Sequence, residues 1–108
     1  MISSDIIQAI RKAEKYPYIT RVGVFGSHAR GDFTDSSDID ILIDYDNSSD
    51  DFLDNLDNFM EDFESLVPVK TDYVTVPGLM KSRNTAFKQE VLRDVQWVYN
   101  NQLYRQPI

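Results

Sequence analysis

The chain contains no cysteine. That absence excludes disulfides and thiolate metal centres, and it fits a reducing compartment. No apolar run approaches the roughly 18 residues that a membrane helix needs. Met1 to Ile10 is neither basic nor continuously apolar, so no secretory leader is read there. A soluble, cytoplasmic protein is expected. Positive charge is scarce: 11 Lys and Arg stand against 18 Asp and Glu, for a net charge of −7. Stand-alone nucleic-acid binding draws its affinity from Lys and Arg on phosphates, so the balance argues against that class. Histidine occurs once, as His28, beside Ser27. Adjacent residues on a turn do not aim at each other as a nucleophile and its base must, and His28 is read as non-catalytic. No glycine loop ends in the Lys-Ser/Thr of a Walker A motif. An EF-hand loop starting at Asp44 would need Gly at 49 and Glu at 55, where the chain has Ser49 and Asn55.

What is present suffices for one core. Apolar residues make up 42% of 108, with thirteen aromatics, which suits a single domain over residues 1–108. Charge is segregated. Residues 32–64 carry thirteen of the eighteen acids and no Lys or Arg, while the flanks are net basic. From Asp46 to Glu64 this reads as a solvated helix face with loops. That reading does not cover Asp38 and Asp40, which sit inside an apolar run.

The periodicities predict the elements. Ser4 caps a helix through Ile6, Ile7, Ile10 and Ala13 that Pro17 ends. Thr20 to Phe25 is β-branched and apolar and runs into Gly26, as a strand entering a turn. Asp38 to Tyr45 alternates with period two, which puts Ile39, Ile41 and Ile43 on one face and Asp38, Asp40, Leu42 and Asp44 on the other. Phe52, Leu53, Leu56, Phe59, Met60, Phe63 and Leu66 form a helical stripe for the core. Pro68 opens a third strand, Val69 to Val76, closed by Pro77-Gly78. Thr85 to Asp94 is helical, and Gln96 to Tyr99 is a last short strand, with Trp97 and Tyr99 as packing residues. The order α-β-β-α-β-α-β predicts an α+β fold, a small mixed sheet packed with helices.

Two stretches carry chemistry. Asp38 and Asp40 lie two apart on a strand, with Cα atoms roughly 6.6 Å apart on one face. Such a pair can converge on two cations about 3.5–4 Å apart. Without a cation, two carboxylates at 4 Å repel by roughly 1 kcal/mol in water and about 4 kcal/mol at an effective dielectric of 20. Mg²⁺ removes that repulsion and takes one or two carboxylates together with substrate phosphates. Asp72, inside the third apolar run, is the candidate third ligand; the alternative is an ion pair with Lys70 two residues earlier. Upstream, Gly26-Ser27 offers a close backbone approach and a hydroxyl donor to a phosphate. A nucleoside triphosphate site with divalent metal is expected.

Gly26, Ser27, Asp38, Asp40 and Asp72, with Ala29-Arg30-Gly31 in the spacer, resemble the nucleotidyltransferase superfamily of DNA polymerase beta. The pattern is most similar to its minimal nucleotidyltransferases, small proteins found as antitoxins beside HEPN-domain toxins. The resemblance implies the nucleotidyltransferase fold and two Mg²⁺ ions on Asp38 and Asp40. It implies that Asp72 assists the metal next to the attacking hydroxyl, that Gly26 and Ser27 hold the β and γ phosphates, and that Arg30 contacts phosphate. It also implies transfer of AMP from ATP to a tyrosine of a HEPN toxin or another helical partner, so that the protein is an AMPylating antitoxin. The alternatives are an antitoxin that acts by contact alone, or a nucleotidyltransferase for a small hydroxyl compound such as an aminoglycoside.

Overall fold

Ser3, one residue before the expected Ser4, caps the first helix: its hydroxyl accepts from the Ile6 amide at 3.4 Å. In this computed structural model, which describes residues 2–101, α1 runs Ser4–Arg11 and continues as a 3-10 turn, Lys12–Lys15. Ser3→Ala is expected to lower stability by about 0.5–1 kcal/mol, as loss of a long N-cap bond should. Ser4→Ala should leave the denaturation midpoint nearly unchanged, and urea titration of the two variants checks the assignment.

β1 (Ile19–Phe25) leads into the single turn α2 (Ser27–Arg30), then β2 (Ile39–Tyr45). The long helix α3 (Phe52–Leu66) crosses to β3 (Thr71–Thr75). Two further helices, α4 (Val76–Met80) and α5 (Thr85–Asp94), precede β4 (Gln96–Asn100). Helix α4 corrects the expectation that Pro77-Gly78 simply ends a strand. Pro77 occupies the first turn, where its missing N–H is no loss, and the Thr75 hydroxyl accepts from the Gly78 amide at 3.2 Å.

The strands form one mixed sheet in the order β3-β2-β1-β4. β1 is antiparallel to β2 and β4, and β2 is parallel to β3. The period-two alternation in β2 divides the core as expected. Ile39, Ile41 and Ile43 are buried with Val22, Val24, Ile6, Ile10, Phe59 and Phe63, between the sheet and the α1–α3 layer. Leu42 faces the other way and packs with Phe25, Leu79 of α4 and Val91 of α5. The sheet is thus sandwiched, and Asp40 belongs to the face that α4 and α5 partly cover. Trp97 and Tyr99 pack against these clusters as expected, and the Arg21 guanidinium lies 4.0 Å over the Trp97 ring.

The stripe on α3 is narrower than expected. Leu56, Phe59 and Phe63 are buried, but Leu53 and Leu66 are 57% and 52% exposed. Part of its acidic face is committed: the Tyr16 hydroxyl donates to Asp62, and that bond pushes the phenol up to about 12. Among the described residues, no helix is long and apolar enough to cross a membrane.

Candidate nucleotide site

Gly26 sits at the end of β1 with φ 72° and ψ −153°, a conformation that L side chains rarely adopt. A Cβ built there would lie 2.3 Å from Oδ2 of Asp40. Both the turn and the close approach therefore require glycine. The partner strand explains the proximity, because Phe25 is paired with Asp40 across β1 and β2. After Gly26 the chain turns through α2, which carries Ser27 and Arg30 and is closed by the left-handed Gly31.

The parallel register of β2 and β3 sets Asp40 directly beside Asp72. Burial pushes the Asp40 carboxyl above the ordinary carboxylate range; Asp72 and then Asp38 push it the same way, with His28 and Arg30 opposing. A half-buried acid facing two others is an arrangement that a cation would relieve. Among the described residues no three acids or histidines stand ready as a metal cage by themselves. Asp38 lies just before β2, and its carboxylate is paired with Lys70 at 3.5 Å. The ion pair weighed for Asp72 therefore falls on Asp38. It is exposed and weak enough to exchange for a stronger cation, since the Lys70 side chain is 76% exposed. The donor set thus fits a divalent ion completed by substrate phosphate, which is the usual habit of Mg²⁺.

Beside these residues lies a cleft of about 320 Å³. Gly26, Ser27, Arg30 and Asp40 line one side, and Phe87, Glu90, Val91 and Asp94 of α5 line the other. Asp40 is the only one of the three expected acids among its lining residues; Asp72 and Asp38 flank it. The α5 wall was not foreseen. Its one sequence signal is an acid at the helix's C-terminal end, where acids are disfavoured. Arg30 does not stand free: its Nε donates to Asp32 at 3.2 Å and its Nη1 to Asp94 at 3.0 Å. His28 is buried and stacked on Phe33 with centroids 4.3 Å apart, and among the described residues its Nε2 has no hydrogen-bond partner.

The family model of the nucleotidyltransferase domain matches residues 4–98. A Methanocaldococcus jannaschii protein, provisionally named protein adenylyltransferase MJ0126, is 34% identical over 101 residues, covering 88% of this chain and 96% of its own. The protein adenylyltransferase MntA of Thermococcus cleftensis is 29% identical over 106 residues, covering 91% and 98%. A solved complex of the Shewanella oneidensis MNT antitoxin with a tri-AMPylated HEPN toxin shares the fold at TM-score 0.56. It is 19% identical and covers 93% of this chain and 74% of that one. The matched span runs from the start of α1 into the last strand and includes the glycine turn and all three acids. The chain therefore belongs to the nucleotidyltransferase domain family, among its minimal, MntA-like members.

Proposed function

We propose that this enzyme moves AMP from ATP to a tyrosine hydroxyl of a HEPN-domain toxin and acts as that toxin's antitoxin. The observation that carries the reading is the glycine turn held against Asp40 with Asp72 beside it. A triphosphate seated on Gly26 and Ser27 lies next to the carboxylates that its metal requires. Asp40 and Asp72, with Asp38 once it leaves Lys70, are the residues that would hold Mg²⁺. The ion, when bound, would neutralise charge developing on the phosphates and lower the pKa of the attacking hydroxyl. The acceptor oxygen forms a bond to the α phosphorus as the bond to the β-phosphate oxygen breaks. Pyrophosphate leaves with that electron pair. Asp72, the exposed acid of the pair, takes the hydroxyl proton.

The described residues wall the cleft on two sides, and α5 supplies the second wall with its own core-packing face. A macromolecular acceptor that brings its own surface suits this site better than a small compound that needs an enclosing pocket. The test incubates the protein with α-labelled ATP, Mg²⁺ and the purified HEPN partner from the host. The expected result is label on the toxin, lost when its acceptor tyrosines are changed to Phe. Label that reaches only small molecules, or none with any nucleoside triphosphate, overturns the reading.

A further inference from the structure

Helix α2 presents both Ser27 and Arg30 to the cleft, yet it is one turn long and its cap residue supplies no side-chain bond. So short a helix does not hold its own shape. Two contacts from the end of α5 and the start of β4 hold it instead. The Gln96 side-chain amide donates to the Ala29 carbonyl at 2.7 Å, and Arg30 Nη1 donates to Asp94 at 3.0 Å.

Asp94 stands where a carboxylate needs partners. It ends α5, where the helix dipole disfavours a carboxylate, and its side chain is only 10% exposed. Arg93 and Arg30 together lower its carboxyl pKa from the ordinary value. Arg93 alone, donating from Nε at 3.0 Å, could neutralise it. The contact to Arg30 does something else: it crosses the cleft and orients a guanidinium beside Ser27. The competing partner, Asp32, is 63% exposed and screened by water. A guanidinium has five N–H donors in a fixed fork. With Nε on Asp32 and Nη1 on Asp94, Nη2 is left, among the described residues, for a third acceptor.

We propose that Asp94 is a positioning residue, which aims Arg30 at the β and γ phosphates of a nucleotide seated on the Gly26–Ser27 turn. This rests on the nucleotide reading above and adds to it a residue outside the glycine and Asp-x-Asp signature. It assigns the α5 wall a part in holding the triphosphate.

The experiment is calorimetric titration of ATP with Mg²⁺, and of AMP, into wild type, Asp94→Ala, Asp94→Asn, Arg30→Ala and the Asp94→Ala/Arg30→Ala double variant. Asp94→Ala should weaken ATP binding about tenfold and leave AMP binding unchanged, because AMP lacks the phosphates that Arg30 meets. Asp94→Asn, which keeps one acceptor for Arg30, should fall between. The double variant should be no weaker than Arg30→Ala alone, as two residues acting through one contact require. Equal weakening of ATP and AMP, or the same loss from Asp94→Ala in the Arg30→Ala background, would make Asp94 a structural brace and overturn the proposal. Unchanged ATP binding in Asp94→Ala overturns it too. If the alanine variant fails to fold, Asp94→Asn and its double with Arg30→Ala give the same reading. Wild type that binds no ATP brings down the nucleotide reading itself, whereas wild type that binds with Asp94→Ala unaffected brings down this proposal alone.

Discussion

Asp40→Asn should abolish nucleotidyl transfer, by a factor on the order of 10³, while making the fold more stable at neutral pH. The two effects have one cause. The Asp40 carboxyl is half-buried, and Asp72 and Asp38 add to the effect of burial in raising its pKa. A folded-state pKa above the unfolded one means that the native protein binds the proton more tightly. Stability then falls as pH rises through the window between the two values, and the full destabilisation persists above it. The amide carries no charge, so its advantage should be complete at pH 7 and vanish below the ordinary carboxylate value. Water still reaching the carboxyl screens the repulsion. A gain of about 0.5 kcal/mol, or roughly 3 °C in Tm for a domain of this size, is the expected scale. Thermal melts of both proteins from pH 3 to 8 with EDTA check this. Millimolar Mg²⁺ with ATP should reverse the order, because the variant lacks one of the carboxylates that would hold the ion. A variant that transfers AMP normally, or that is less stable than wild type at every pH, contradicts the assignment of Asp40 as the central metal ligand.

The part of the site carried by strand alternation was legible in the sequence. Ile39, Ile41 and Ile43 against Asp40 and Leu42 specify a face for each side chain of β2, and the structure keeps that division. Gly26 was legible for a related reason, since an apolar strand that ends in glycine marks a turn. Contacts that depend on which strands lie together were less so. The ion pair with Lys70 weighed as the alternative for Asp72 is made by Asp38, because β3 joins β2 in parallel with Thr71 opposite Ile39, and that brings Lys70 beside Asp38. In the sequence, Glu90 and Asp94 are two acids of the helix read over Thr85 to Asp94. The fold lays α5 on the sheet face to which Asp40 belongs, where they become a wall of the cleft. Leu53 and Leu66 fit the α3 stripe by period, but lie beyond the area that α1 and the sheet cover.

Gly26→Ala, a change of one methyl group, should be nearly as damaging to activity as loss of a carboxylate. The new Cβ would stand 2.3 Å from Oδ2 of Asp40, and the backbone at φ 72° would be strained whatever the space. The strain alone costs about 1–3 kcal/mol. The clash forces a choice between moving the turn, which carries Ser27, and moving Asp40, which faces Asp72. Either displaces a phosphate contact or a metal ligand, and a shift of about 1 Å at such a site costs on the order of 10²-fold in rate. Gly78→Ala separates stability from function. Its Cβ would meet the Thr75 hydroxyl at 2.9 Å, at the start of α4 and outside the cleft-lining residues. It should lower Tm and leave transfer intact. Measuring Tm, ATP affinity and transfer for both variants sets local strain against the geometry of the site. If Gly26→Ala, like Gly78→Ala, lowers Tm and leaves transfer intact, the contact between the turn and Asp40 is a packing feature of the β1–β2 corner. Transfer down about 10²-fold at a temperature where the variant is still folded would show that catalysis depends on how closely the glycine turn approaches that carboxylate.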